Sequence, residues 1–239
     1  MSKTKQRPRK GNGLTLYTDG ATLKIPASKS YLMAWAILAM GEGVSQDQHA
    51  ELSRAALGAK GVDGMHEYIA FIKAVELAKL LGADWSQLTV HTDDQFIGKA
   101  SFWLHPGNLM GSQAEKVQAR FEYVLKHMAD IFPTSVSWTD VERVFQQSRV
   151  VEIRSHKGYV YQERADFLCK RALQQQVGLL VEEGRVADSL LSVWGRRYPT
   201  TAMLKAPVSS FEEWLQTGVE RFSNKVDAYV SEHFPFCGQ

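Results

Sequence analysis

Hydrophobic and polar positions change rhythm several times along this chain. Residues 14–18 (LTLYT) alternate apolar and polar, the two-residue period of a half-buried strand. Residues 31–40 (YLMAWAILAM) form a continuous apolar run, which periodicity alone reads as a buried strand or a short helix. Ser28 and Ser30 before it, and Gly41-Glu42-Gly43 after it, favour a strand. Residues 49–60 (HAELSRAALGAK) stay open: their Ala and Leu favour helix, whereas their position suits a third strand. Over 65–82 apolar residues recur at helical spacing through Tyr68, Ile72 and Val75, and Gly82 supplies a stop. Residues 87–94 (QLTVHTDD) read as a fourth strand closed by two aspartates. A second long helix covers 112–132 and ends at Pro133, a strand follows at 149–156, and a helix at 161–180. Three strands, then helix, strand, helix, strand, helix predict an α/β layer arrangement.

The pattern changes near residue 181. Ser210 and Glu213 form a capping-box pair. The helix predicted after it carries Phe211, Trp214, Leu215, Val219, Phe222, Val226, Tyr229 and Val230 on one stripe. This stripe is expected to pack back on the main domain, with a dimer contact as the alternative. The predicted organisation is therefore a tail over 1–11, an α/β domain over 12–180 and a helical extension over 181–239.

Composition narrows the class without deciding the function. The 239 residues are 44% apolar, 23% charged and 10% aromatic, as in soluble globular proteins. No apolar run approaches about 18 residues, so no membrane-spanning helix is expected. The polar, basic start lacks the apolar segment of a secretory signal. The two cysteines, Cys169 and Cys237, have no metal-type spacing. Neither a disulfide framework nor a structural zinc is expected, and a reducing cytoplasm is the expected location. The net charge of +2 is uneven, because Lys3, Lys5, Arg7, Arg9 and Lys10 precede a remainder that is net acidic. The tail is expected to be disordered, and it could grip phosphates without sequence preference.

Four acids stand out by position. Asp19 ends the first strand, where Asp-Gly also fits a turn; Glu67 opens the long helix, Asp93 ends the fourth strand, and Asp166 lies near the start of the helix after the fifth. In an α/β layer, strand ends and helix starts can converge on one crevice. Four carboxylates there would repel one another strongly unless divalent cations neutralised them. An all-oxygen donor set suits Mg²⁺ or Mn²⁺. Glu76, nine residues after Glu67, points the opposite way on the helix and is expected to be a solvated partner of Lys73 or Lys79. Taken singly, Glu67 and Asp166 also fit a helix N-terminus, and Asp93 and Asp94 fit a turn.

The local words lift the set above those readings. YTDGA, then HEYIAFIKAVELA, then HTDDQF, then SHKGYVYQERADFLCKRA occur in that order. Together they resemble the ribonuclease H family of type 1, over roughly residues 12–177. The resemblance implies a ribonuclease H-like fold: a mixed five-stranded sheet with flanking helices, here followed by the C-terminal helical extension. It implies Asp19, Glu67, Asp93 and Asp166 as ligands of two Mg²⁺ ions, with Mn²⁺ able to substitute. It also implies His156, ten residues before Asp166 and near Gly158 as a pivot, as a catalytic loop histidine that moves protons or assists product release. Gln95 stands where the family has a minor-groove glutamine, and Gly20 and Gly64 are candidate substrate contacts. His66 and Asp94 flank ligands and are candidates to tune them. The implied activity is hydrolysis of the RNA strand of an RNA–DNA hybrid, with nucleic acid as partner and no membrane.

The loops depart from that pattern. TLKIPASKS (22–30) retains only Pro26, and VDGMH (62–66) puts Asp63 where a phosphate contact is expected. Residues 133–148 are not basic, unlike the protrusion often found in the family. Trp103 and Trp138 could stack on bases, although burial is the commoner fate of Trp. Two further readings stay open: a nuclease of the same metal chemistry acting on DNA or double-stranded RNA, and a non-catalytic scaffold that binds nucleic acid or protein.

Overall fold

In the computed structural model, which describes residues 13–25, 30–41, 50–58, 64–105, 108, 111–153 and 159–182, the first alternating stretch lies, from Thr15 on, within β1 (Thr15–Lys24). There follow β2 (Tyr31–Met40), β3 (Ala50–Gly58), α1 (His66–Leu80), β4 (Thr89–Thr92), α2 (Gln95–Trp103), α3 (Gly111–Met128), α4 (Trp138–Gln147), β5 (Arg149–Glu152) and α5 (Val160–Glu182). The strands form one mixed sheet in the order β3-β2-β1-β4-β5. The first three make an antiparallel meander, while β1 to β4 and β4 to β5 are parallel. The basic tail, His156 and the predicted C-terminal helix lie outside the described residues.

The apolar run of β2 does not alternate because helices cover both of its faces. Met33, Trp35, Ile37 and Ala39 join the core under α1, while Leu32, Ala34 and Ala36 join a second cluster with Leu168, Leu173, Val177 and Leu180 of α5. The open stretch 49–60 resolves as strand: Leu52 pairs with Ile37, and Ala55 with Ala34. Pairing and packing here override the helical preference of its alanines. α1 ends as its sequence predicts. Gly82 takes φ +65, and the amides of Gly82 and Ala83 bond to the carbonyls of Lys79 and Ala78.

Two helices were not anticipated from the sequence. In α4, Ser137 and Asp140 form a reciprocal capping box, and Val141, Val144 and Phe145 point into the core at helical spacing. In α2, Asp94 caps the start by accepting the Ile97 amide at 2.7 Å. Trp103 packs edge-on to Phe96 at 5.3 Å, and Trp138 lies 6.1 Å from Phe121, so both rings are engaged with the core. Among the described residues, no helix is long and apolar enough to cross a membrane.

Glu76 is excluded from the carboxylate site, as expected, but it is not solvated. It is 5% exposed and accepts from Lys73 Nζ at 2.7 Å and from the Ser135 amide at 3.0 Å. Lys73 also donates to the Pro133 carbonyl. The α3–α4 connection packs against this part of α1, so the direction away from Glu67 leads into protein rather than water.

Candidate metal centre

Asp19 sits in the middle of β1 rather than at its end, because the strand runs on through Gly20 to Lys24. What ends near Asp19 is its parallel neighbour. β4 pairs with β1 only as far as Tyr17 opposite His91, and stops at Thr92. The chain then turns away through Asp93 and Asp94 into α2. β1 is flanked by an antiparallel strand on one side and a parallel one on the other, and beyond Tyr17 it runs on past the carboxyl end of β4. Such a position beyond the carboxyl end of a parallel strand is where α/β sheets hold ligands.

Gly20 sets how closely α1 approaches this point. A Cβ at Gly20 would stand 2.3 Å from the His66 carbonyl carbon and 2.7 Å from the Glu67 amide nitrogen. The Gly20 amide donates to Glu67 Oε2 at 3.2 Å. Asp19 is itself tied to α5, since the Cys169 thiol donates to its carbonyl at 2.9 Å. One residue earlier, Gln162 Nε2 donates to the Thr18 carbonyl at 2.7 Å, and Thr18 Oγ1 donates to the His91 carbonyl at 3.0 Å. Three elements, β1, β4 and α5, are therefore locked together at Thr18 and Asp19.

The carboxylates of Asp19, Glu67 and Asp93 each offer an oxygen, and these oxygens lie within 4.8 Å of one another. Asp19 is 4% exposed. Burial pushes its carboxyl well above the usual carboxylate range, and the charges of Asp93 and Asp166 push it the same way. Glu67 is likewise raised, by burial first and then by Asp19, Asp93 and Asp94. Three acids held together, Asp19 and Glu67 at the expense of their own ionisation, form an oxygen-only donor set that fits a hard divalent cation. Any such cation would relieve the repulsion that raises both groups.

Asp166 reaches the same neighbourhood from α5, as its effect on Asp19 shows, but it stands outside the close set of three. Its Oδ2 accepts from Lys170 Nζ, one helical turn later. Sequence reasoning did not single out Lys170, Gln162 or Cys169. Lys170 was findable, because a cation four residues after an acid shares its helix face. Gln162 and Cys169 act through β1 carbonyls, which no sequence spacing reveals. Asp94 serves chiefly as the α2 cap. His66 Nε2 lies 3.7 Å from Glu67 Oε1. Gln95 opens α2 at an exposed position, and Gly64 precedes α1 with φ +77 and open space around it.

No family model matches the sequence, and no curated protein matches it. Among solved structures, the chain is similar to RNase H1 from the halophilic archaeon Halobacterium salinarum NRC-1, at 16% identity over 68% of this chain and 98% of that one, with a TM-score of 0.37. It is similar to LC11-RNase H1 in complex with an RNA/DNA hybrid, at 16% identity over 69% and 99%, with a TM-score of 0.41. It is also similar to the N-terminal RNase H domain of a Mycobacterium tuberculosis protein, at 12% identity over 68% and 97%, with a TM-score of 0.37. The mixed sheet in the order β3-β2-β1-β4-β5, with α1 on one face and α5 on the other, gives this chain a ribonuclease H-like fold.

Proposed function

We propose that this chain is a metal-dependent endoribonuclease that hydrolyses the RNA strand of RNA–DNA hybrids. The observation that carries the proposal is the convergence of Asp19, Glu67 and Asp93, distant in sequence, to within 4.8 Å. When bound, a pair of Mg²⁺ ions, for which Mn²⁺ can substitute, supplies the water activation and charge neutralisation that phosphodiester hydrolysis needs.

In this reading Asp19 is the central ligand, on a stretch of β1 whose backbone Cys169 and Gln162 fix. Glu67 is oriented by the Gly20 amide, and Asp93 is carried on the rigid turn between β4 and the capped start of α2. Asp166 completes the set from α5. Preset positions of this kind lower the reorganisation needed at the moment of reaction. His156 serves proton transfer or product release, tasks to which an imidazole is suited. Gln95 reads a minor-groove edge, and Gly64 offers a backbone amide to a phosphate. Gly20, whose amide is engaged by Glu67, serves substrate by bringing α1 close.

The test is a cleavage assay on labelled RNA–DNA hybrid beside DNA and RNA duplexes, with Mg²⁺ or EDTA. Cutting of the RNA strand alone, lost in EDTA and lowered about a hundredfold or more by Asp93→Asn, is the expected result. Cutting of DNA or double-stranded RNA instead would keep the metal chemistry and move the substrate. Full activity in Asp93→Asn would remove Asp93 from the reacting set.

A further inference from the structure

We infer that Lys170 is the resident counter-cation of the carboxylate cluster, holding Asp166 in place of a divalent cation and competing with one for it. The inference rests on the metal-centre reading above and adds to it a residue that sets how tightly the centre binds metal.

Position makes the first part of the case. Asp166 and Lys170 lie one turn apart on α5, and Lys170 Nζ donates to Asp166 Oδ2. Their side chains are 19% and 21% exposed, so water only partly screens the pair. Cys169, immediately before Lys170, is bonded to the Asp19 carbonyl and pins this turn of α5 against β1. The ammonium is therefore anchored beside the cluster and is not free to leave with a swinging helix.

Charge makes the second part. Lys170 sets one positive charge on Asp166 Oδ2, one residue along α5 from a bond to β1 at Asp19, where like-charged carboxylates gather. Asp166, the carboxylate bonded to the ammonium, is also the one that stands outside the close set of Asp19, Glu67 and Asp93. Lys170 thus does with one charge what a metal would do with two: it lets buried carboxylates coexist in the metal-free chain. A metal drawing on Asp166 competes with the Lys170 ammonium for the same carboxylate charge and is repelled by that ammonium, and both costs are subtracted from metal affinity.

The test compares the full chain with Lys170→Gln, Lys170→Met and Lys170→Arg. Mn²⁺ affinity is measured by isothermal titration calorimetry, and the thermal midpoint in EDTA and in saturating Mn²⁺. Loss of the charge is expected to tighten Mn²⁺ binding roughly tenfold, to lower the midpoint in EDTA, and to enlarge the midpoint gain on adding Mn²⁺. Lys170→Arg is expected to keep the wild-type affinity. Lys170→Gln retains a donor for Asp166, so it serves where Lys170→Met fails to fold, and it separates lost charge from lost hydrogen bond. Wild-type Mn²⁺ affinity and an unchanged midpoint gain in Lys170→Gln would overturn the inference while leaving the metal centre standing. Failure of the wild-type chain itself to bind Mn²⁺ would overturn the metal-centre reading, and this inference with it.

Discussion

The amide of Gly20 donates to Glu67 Oε2 at 3.2 Å across a junction that has no room for a side chain at residue 20. The Asp-Gly pair in YTDGA is thus not a turn. Gly20 continues β1 and lets the start of α1 come close enough for Glu67 to join Asp19. Gly20→Ala is expected to push α1 outward, since its Cβ would meet backbone rather than a movable side chain. The cost should be about 1–3 kcal/mol of stability, read by urea unfolding, together with weaker Mn²⁺ binding. A variant of wild-type stability and Mn²⁺ affinity would show that the helix start moves freely.

Asp19→Asn is expected to separate stability from metal binding. The buried Asp19 carboxylate ionises against Asp93 and Asp166, so replacing it with a neutral residue of the same shape removes repulsion. The thermal midpoint in EDTA should rise by roughly 2–4 °C, the shift expected for about 1 kcal/mol in a domain of this size. In Mn²⁺ the order should reverse, because the wild-type chain gains a ligand-linked stabilisation that the variant lacks. Differential scanning fluorimetry under both conditions checks the crossing. Parallel gains from Mn²⁺ in the two proteins would argue that Asp19 is not a ligand.

His91 gives the fold its own acid sensitivity, separate from the carboxylates. It stacks on Tyr17 at 4.4 Å with an interplanar angle of 9°. Burial, helped by the Arg149 charge, lowers its pKa from 6.5 to about 4. A histidine held neutral in the native state binds fewer protons there than when unfolded. Its penalty is absent above pH 6.5 and grows as the pH falls toward 4. The loss should be on the order of 2 kcal/mol by pH 4. His91→Phe retains a ring for Tyr17 and should flatten this part of the stability profile in urea titrations between pH 7 and 4. An unchanged profile would place the acid sensitivity elsewhere.

Legibility in the sequence followed the range over which each cause acts. Asp19, Glu67 and Asp93 were readable because each lies in a short word tied to one element, and the order of elements brings the words together. β2 was ambiguous because burial on both faces by α1 and α5 erases the two-residue alternation. β3 was ambiguous because Ala55 and Ala56 are helix formers held in a strand by their partners in β2. α4 was readable in principle, since Ser137, Asp140, Val141, Val144 and Phe145 carry a cap and a helical stripe. The burial of Glu76 was not readable at all: it depends on where a connection from 133 to 135 folds, and no local pattern around Glu76 encodes that.

The Lys73–Glu76 pair allows that non-local cause to be measured. The two side chains are 3% and 6% exposed and joined at 2.7 Å, and each also reaches the α3–α4 connection, Lys73 at the Pro133 carbonyl and Glu76 at the Ser135 amide. Burial lowers the Lys73 ammonium below its usual range, and Glu76 raises it back in part. Removing either partner leaves a charge in a dry site, so Lys73→Met or Glu76→Leu alone should cost about 3–5 kcal/mol. Lys73→Met with Glu76→Leu should cost clearly less than the two single losses added together, because no charge is then stranded. A double-mutant cycle in urea gives the coupling directly. Mn²⁺ affinity should remain at the wild-type value in all three variants, since the pair lies about two turns along α1 from Glu67. Additive costs, or a change in metal affinity, would mean that the connection over α1 and the carboxylate centre are not the independent structures described.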